Sequence, residues 1–241
     1  MTFSTRPVVR EVVTSTDHGI AGAHRVLART FAKDETVDRK EWRDSLRERE
    51  AEVWADYRWH LVVAELDGIV VGMASGTYLG NVNTGVIGYV AVDTSARGLG
   101  LGPRLRAKLR TLFRRDARNI CKGALDAVIG EVRRDNPWLR SLVRRDRVLA
   151  LDFDYMQPSL RDGDLPVSLV LYYEPQTRAM RRLSTALLRK LLFTTWRRVY
   201  RISRPMAHGT FRQMIAQLDG HRSIGRLTPQ RLAQLAAARP A

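Results

Sequence analysis

One stretch of the sequence decides the fold of this chain, VIGYVAVDTSARGLGLGPRLRAKLR, residues 86–110. Its apolar, β-branched start from Val86 to Val92 predicts a buried strand. A short polar turn and three alternating glycines follow, at positions 98, 100 and 102, and leucines at helical spacing come after them. Glycines at such a junction let the backbone adopt positive φ and approach a ligand closely. Because the first amides of a helix are free and its dipole is positive there, the stretch predicts a strand–loop–helix that binds a phosphate group.

The spacing of the glycines separates the known classes of phosphate-binding loop. A dinucleotide-binding loop has the pattern G-x-G-x-x-G, but counted from Gly98 its last glycine position is Pro103. A P-loop ends in G-K-[ST], and Gly102-Pro103-Arg104 does not. The pattern Arg97-x-x-Gly100-x-Gly102 resembles the acyl-CoA pyrophosphate loop of the GNAT N-acyltransferase superfamily. A tight turn without a ligand is the alternative interpretation of the same glycines.

The order of the predicted elements agrees with that superfamily: strand, two helices, three strands, helix, strand, helix and two strands. Apolar residues at helical spacing predict the first two helices, namely Ile20, Ala23, Val26, Leu27 and Phe31, then Trp42, Leu46 and Val53. The predicted strands span residues 8–13, 60–66, 69–78, 86–92, 125–132, 148–155 and 167–173. Asp67-Gly68 predicts a hairpin turn, and Asn136-Pro137 predicts the start of a short helix.

The resemblance covers residues 6–174, and its only specific motif is the loop from Arg97 to Gly102. It implies an α/β (α+β) fold, with a GNAT-like mixed and mostly antiparallel central sheet flanked by helices. We therefore expect an acyl-CoA-binding N-acyltransferase domain at residues 1–174 and a basic helical extension at residues 175–241.

The charge of the chain is concentrated in that predicted extension. Residues 175–241 contain fourteen lysines and arginines and one acid, Asp219, so they carry +13 of the formal net charge of +16. Such a segment favours an acidic partner, nucleic acid or an anionic membrane surface, and a solvated arginine-rich face is the alternative. An apolar stripe of Met180, Leu183, Leu187 and Leu191 predicts a helix that docks on the rest of the chain.

Composition limits the classes of protein to which the chain can belong. At 241 residues and 44% hydrophobic residues it can bury one substantial core. Cys121 is the only cysteine, which excludes an intrachain disulfide and favours a reducing compartment. The first ten residues contain no apolar leader, so we predict a cytoplasmic protein. The five histidines show no ligand spacing, and we predict no metal site.

The resemblance also implies which residues hold the co-substrate, acetyl-CoA or another acyl-CoA. The backbone of Gly98, Leu99, Gly100, Leu101 and Gly102 would bind the pyrophosphate, and Arg97 and Arg104 would add positive charge. In the family the strand before this loop carries a bulge and pairs with the pantetheine arm, which here implicates Val90, Ala91 and Val92. An amide there can polarise the thioester carbonyl. Asn136 corresponds to an asparagine that often touches the cofactor arm, and a plain helix cap is its alternative role.

The chain departs from the family where catalytic side chains are expected. The tyrosine that often serves as the acid corresponds here to Val143, and a carboxylate that some members carry corresponds to Val86. Glu131 is the best substitute base, because a glutamate in an apolar strand needs a partner or a function. Its alternative role is an ion pair with Arg133 or Arg134. Tyr89 and Tyr155 are candidate acids, with packing as their alternative role.

Two functional hypotheses follow from these residues. The first is an acyl-CoA-dependent N-acyltransferase, which transfers the acyl group directly to an amine acceptor. Among such enzymes, an acetyltransferase is the one that we expect. The second is a non-catalytic module that binds CoA and uses its arginine-rich extension to bind nucleic acid, an acidic partner or an anionic membrane. The acceptor stays open among a small amine, an amino acid, a protein lysine and an aminoacylated RNA, and the oligomeric state is open as well.

Overall fold

The computed structural model describes residues 6–142, 147–161 and 163–237. The chain divides into two compact units, Met1–Leu125 and Asp126–Ala241. Within each unit, every strand pairing found among the described residues is antiparallel. The predicted α/β class, with a mostly antiparallel sheet flanked by helices, is confirmed.

The described part of the first unit contains four strands and three α-helices. The strands are β1 (Val8–Val12), β2 (Tyr57–Leu66), β3 (Ile69–Leu79) and β4 (Thr84–Val92), and each pairs with the next in chain order. The helices are α1 (Gly19–Thr30), α2 (Arg39–Glu50) and α3 (Leu101–Ile120). The predicted hairpin between β2 and β3 is confirmed. Asp67 and Gly68 have φ of 49° and 75°, the pair of positive values that a tight two-residue hairpin turn requires.

The apolar spacing locates α1 and α2 but not the end of α2. Four of the predicted α1 residues, Ile20, Ala23, Val26 and Leu27, are buried, as are Trp42 and Leu46 on α2. The prediction that Val53 continues α2 is wrong, since the helix ends at Glu50 and Val53 is 55% exposed. Glu52 adopts a φ of 49° just after the last turn, which turns the chain away from the helix axis.

The leucines of α3 bury one face of this helix. Leu101, Leu105, Leu109 and Leu112 are all buried, and Phe113 is fully buried beside them. Gly85 on β4 lies so close to the Phe113 ring that a Cβ at this position would overlap it. This close approach requires glycine at the point where β4 meets α3.

A buried polar network centres on His60 in the first unit. The His60 ring is fully buried, with Nδ1 at 2.8 Å from Glu11 Oε1 and Nε2 at 2.5 Å from Asp116 Oδ2. Arg49 Nη1 lies 2.7 Å from the same Glu11 oxygen. Burial alone would raise the pKa of Glu11, but the hydrogen bond to His60 and the charges of His60, Arg49 and Arg115 lower it to about 2.

We expect this network to make the stability of the protein depend on pH in the acid range. The pKa of Glu11 is lower in the folded chain than its ordinary value of 4.5, so its contribution is complete above pH 4.5 and is lost as the pH falls towards 2. The loss should amount to about 2 kcal/mol once solvent screening is allowed for. Denaturant unfolding of the wild type and Glu11→Gln between pH 6 and pH 2.5 tests this. Equal slopes against pH for both proteins would contradict it.

The second unit contains the remaining elements. Its strands β5 (Ala127–Arg133), β6 (Leu149–Ala150) and β7 (Tyr155–Gln157) all pair with β8 (Val167–Pro175). A separate pair is formed by β9 (Arg182–Ser184) and β10 (Ser223–Gly225). The helices are α4 (Pro137–Leu142), α5 (Thr185–Arg198), α6 (Gly209–Ala216) and α7 (Pro229–Ala237). No described helix is both long and apolar enough to cross a membrane.

Two sequence predictions in this unit are wrong. The single strand expected at residues 148–155 is two short strands, β6 and β7, interrupted at residues 151–154. The helix expected around Met180 and Leu183 begins at Thr185, because Leu183 lies in β9 and the Ser184 side chain caps the helix by accepting a hydrogen bond from Leu187 N. The buried face of α5 is consequently formed by Leu188, Leu191, Leu192 and Trp196 rather than by Leu187.

Residues after 175 pack against the strands of the second unit. Leu227 N donates to Ala150 O over 2.8 Å, and Asp152 N donates to Gly225 O over 3.1 Å. Leu232 of α7 joins a buried cluster with Val132 of β5. These contacts agree with a docked segment, while the boundary between residues 174 and 175 stays a prediction.

Candidate functional site

The loop after β4 is held in place by Asp93. Its carboxylate accepts hydrogen bonds from Ser95 N at 3.1 Å and Ser95 Oγ at 2.8 Å, and it forms an ion pair with Arg29 at 3.2 Å. The bonds from Ser95, with the nearby Arg29, hold the pKa of Asp93 below its usual value. Asp93 N donates to Val71 O on β3. The start of the loop is thereby fixed to the sheet, with a single 3₁₀ turn at Thr94–Ala96.

Two of the three glycines in the loop have the predicted left-handed backbone. Gly98 has φ +85° and Gly100, the N-cap of α3, has φ +66°. A Cβ at either position would meet nothing within 4 Å, so glycine is favoured there by conformation and not by crowding. Gly102 lies within the first turn of α3. The amides of Gly98, Leu99 and Gly100 have no hydrogen-bond partner among the described residues.

The charges around these amides are positive. Arg97 is exposed, and its guanidinium has no partner in the part of the chain that the structure describes. Arg104 Nη2 donates to Pro7 O over 2.8 Å, which ties this side chain to the segment before β1. The first turn of α3 carries no acidic residue. Free amides, a helix N-terminus and an unpaired guanidinium together can bind an anion such as a pyrophosphate.

The strand that leads into the loop carries the predicted bulge. Ser75 on β3 pairs with Tyr89, while the next residue, Gly76, pairs with Ile87, so Gly88 is the extra residue on β4. From Gly88 onwards the strand becomes more accessible: Gly88 is exposed, Val90 and Val92 are half-buried, and Ala91 alone is buried. The backbone of residues 90–92 therefore lies next to a local break in the regular ladder. Its pairing with a pantetheine arm stays a prediction.

Tyr89, one of the candidate acids, is committed to a structural contact. Its hydroxyl donates to Glu35 O over 2.7 Å, and its ring packs edge-on against Phe31 at 5.3 Å between centroids. These contacts hold the segment between α1 and α2 against β4. The Tyr89 hydroxyl therefore makes the kind of contact that its alternative packing role requires, while its role as an acid stays a prediction.

The second candidate region is built around Glu131 on β5, in the second unit. Its carboxylate accepts a hydrogen bond from Tyr155 Oη at 2.5 Å, and Tyr200 Oη lies 2.7 Å and 2.6 Å from its two oxygens. The structure thus brings together two of the predicted catalytic residues. The alternative of an arginine partner for Glu131 is wrong, because Arg133 pairs with Asp135 and Arg134 with Asp154.

The environment of Glu131 raises its pKa. Burial is the largest cause, and the hydrogen bonds from Tyr155 and Tyr200 offset it only in part. Burial and the charge of Glu131 raise the pKa values of both tyrosines well above 10. The two hydroxyls therefore keep their protons and act as donors, and the carboxylate is the group in this cluster that can take up a proton.

Sequence reasoning missed Tyr200, because nothing near this residue marks it as functional. It follows α5 in the arginine-rich segment and lies 69 positions after Glu131. Asn136 caps α4, since its side-chain oxygen accepts a hydrogen bond from Trp138 N at 2.9 Å. Its contact with a cofactor stays a prediction, and Val143 lies outside the described residues. In the described part of the chain, no group of three or more His, Cys, Asp or Glu side chains could hold a metal ion.

Comparison with known proteins shows what part of the chain is similar to a known family. Residues 27–143 match the model of the acetyltransferase (GNAT) family. A search with the whole chain finds no match among curated proteins.

Three solved structures show the same fold. A protein from Bacteroides thetaiotaomicron, assigned to the GNAT family of acetyltransferases, is 16% identical, with a TM-score of 0.56 over 81% of this chain and 99% of that one. The ribosomal-protein-S18-alanine N-acetyltransferase of Escherichia coli is 13% identical, with a TM-score of 0.50 over 73% and 97%. Ard1 from Thermoplasma volcanium is 20% identical, with a TM-score of 0.50 over 72% and 100%.

Proposed function

Because residues 27–143 of this chain match the model of the acetyltransferase (GNAT) family, we propose that the protein is an acyl-CoA-dependent N-acyltransferase of that family. It transfers an acyl group, acetyl above all, from acyl-CoA directly to an amine. The observation that carries this proposal is the loop at residues 97–102. There, two left-handed glycines, with amides that have no partner in the described part of the chain, precede a helix N-terminus a few residues after a bulged strand.

The residues of the loop fit the phosphates of CoA. Within the described ranges, Gly98, Leu99 and Gly100 offer amides without a partner, and no atom beyond those of the adjacent residues lies within 4 Å of a Cβ built on either left-handed glycine. Arg97 adds a guanidinium that can bind phosphate oxygens in bidentate fashion. Acyl-CoA supplies a thioester, and a backbone amide of residues 90–92 would polarise its carbonyl.

Glu131 would serve as the base of the reaction. The amine attacks the thioester carbonyl, the new C–N bond forms, the C–S bond breaks, and the amine loses a proton that Glu131 accepts. Tyr155 and Tyr200 hold the carboxylate through their hydroxyls. The pKa values of the two tyrosines lie well above 10 and that of a thiol lies near 8.5. Neither hydroxyl is therefore a favourable acid for the leaving group, which departs as the thiolate and takes up its proton from solvent.

We expect acetyl-CoA to raise the melting temperature of the wild type, because a ligand that binds only the native state stabilises it. Gly100→Val should abolish this shift, since valine disfavours a φ of +66° and covers the neighbouring amides. Gly220→Val is the matched control, because Gly220 has a φ of +75° and an equally open surrounding in the second unit. Differential scanning fluorimetry with millimolar acetyl-CoA measures the three shifts.

A wild type with no thermal shift for any short acyl-CoA would overturn the proposal. If both glycine variants lost the thermal shift equally, the loss would be due to general destabilisation and not to a change in the loop. A thiol-release assay over amine acceptors then separates an enzyme from a module that binds CoA without turnover.

A further inference from the structure

The second unit contains an open groove of about 570 Å³ between the β9–β10 pair and the segment after β6. Its lining includes three arginines and a histidine, namely Arg181, Arg182, Arg226 and His221. Asp152 is the one acid among the lining residues, and it lies 3.6 Å from Arg231 Nε. Three arginines against one acid give the lining of the groove a net positive charge.

Two arginines of the groove differ in how they are held. Arg182 is fixed, because its Nε donates to Ser223 Oγ over 2.7 Å and its Nη2 to Ser223 O over 2.8 Å. A Cβ on Gly225 would come within 3.2 Å of Arg182 Nη1, so the guanidinium lies close to the β10 backbone. Arg181 is exposed, and its guanidinium has no partner among the described residues. One cation is thus preorganised and the other is free to bind.

The excess of positive charge extends beyond the groove to the rest of residues 176–237. Residues 176–237 contain thirteen lysines and arginines and a single acid, Asp219, which pairs with Arg189 at 2.7 Å. A ligand that matches this field must carry repeated negative charge. The two apolar side chains that line the groove, Phe153 and Ile224, are only 8% and 9% exposed, so they offer little surface to the side chains of a peptide.

We propose that this groove binds phosphate groups of a nucleic-acid backbone. Arginine forks match phosphate oxygens in geometry as well as charge. Along the axis of a DNA duplex each strand carries a phosphate about every 3.4 Å, so one strand can present phosphates to both Arg181 and Arg182. The groove is lined by residues other than those of the loop at 97–102, and its proposed role does not depend on acyl transfer.

The test is fluorescence anisotropy of the full chain with a labelled 20-nucleotide single-stranded RNA and a 20-base-pair DNA duplex, each titrated at several salt concentrations. The wild type should bind at least one of them, and its affinity should fall steeply with salt through release of counterions. Arg181→Glu should weaken binding by about tenfold or more and reduce the salt slope by about one unit.

Two control variants make the same change in charge elsewhere. Arg197→Glu alters an exposed residue about 18 Å along α5 from Thr185, at 1.5 Å per residue, and Arg118→Glu alters an exposed residue of α3 in the first unit. Both should weaken binding by less than about threefold. All three variants should keep the wild-type melting temperature and its shift with acetyl-CoA.

Absence of binding to both nucleic acids overturns the proposal, as does an equal loss of affinity in Arg181→Glu and Arg197→Glu. Binding to vesicles of anionic phospholipid in place of RNA or DNA would assign the charge to a membrane surface and overturn it as well. Because the acetyl-CoA shift is measured in parallel, failure of this proposal is distinguishable from failure of the proposed acyl transfer.

Discussion

Glu131→Gln is expected to lower kcat by about a hundredfold or more, the usual range for the loss of a general base. Glutamine keeps the size of the side chain and can still accept hydrogen bonds from Tyr155 and Tyr200, but it cannot take up the proton of the amine. The acetyl-CoA thermal shift should stay at the wild-type value. Steady-state thiol release, with the thermal shift as a second readout, measures both effects.

Tyr200→Phe is the companion variant, and it tests the positioning role through the pH profile. The hydrogen bond from Tyr200 lowers the pKa of Glu131, so its removal should raise that pKa further. Since the base must be deprotonated, the acidic limb of kcat/KM should move to higher pH in Tyr200→Phe. Near-normal turnover in Glu131→Gln, or an unmoved acidic limb in Tyr200→Phe, would assign this cluster to the structure of the second unit.

The largest loss of stability is expected from Leu188→Asp. Leu188 is completely buried on α5, so the change removes its packing and places a carboxylate in the interior. These effects together should lower the free energy of unfolding by at least about 4 kcal/mol. A loss of that size is a large share of the total stability of an ordinary domain. Chemical denaturation followed by circular dichroism measures it.

Leu187→Asp is the matched control, because it makes the same chemical change one position earlier on the same helix. Leu187 is only partly buried, so this change should cost about 1 kcal/mol or less. Equal losses in both variants would contradict the orientation of α5. The two variants also distinguish the observed orientation of α5 from the orientation that the sequence pattern predicts, in which Leu187 is the residue that docks.

The features that the sequence predicts well depend on neighbouring residues. Asp67-Gly68 specifies a turn by its own backbone preferences, and Gly98 and Gly100 specify a loop in the same way. Leucines at a constant spacing locate α3, since a helix keeps its period over twenty residues. Asn136-Pro137 predicts the start of α4 correctly, because the preferences of asparagine as a helix cap and of proline at the first helical position are also local.

The features that the sequence does not predict depend on contacts between distant residues. The stripe from Met180 to Leu191 has helical spacing, but β9 takes up its first part by pairing with residues 223–225, and the helix begins only after Ser184. Glu131 is recognisable as a buried carboxylate, while its partners are not. They lie 24 and 69 positions away, and no local pattern reports which hydroxyl completes the cluster.

The bulge at Gly88 also determines where β4 can gain or lose a residue without a change of register. In a regular strand, successive side chains point to opposite faces, and a shift by one residue turns all those that follow to the other face. The extra residue makes Ser75 pair with Tyr89, and in that register the Tyr89 hydroxyl reaches Glu35 on the segment before α2. If β4 kept its length but had no bulge, Ser75 would pair with Gly88, and Tyr89 would point to the other face, away from this segment. If Gly88 alone were deleted, Tyr89 would still pair with Ser75. The effect of an insertion or deletion in this strand therefore depends on its position. Deletion of residue 88 keeps the register of the strand. Insertion or deletion of one residue between positions 89 and 92 turns the side chains that follow, up to the loop, to the opposite face.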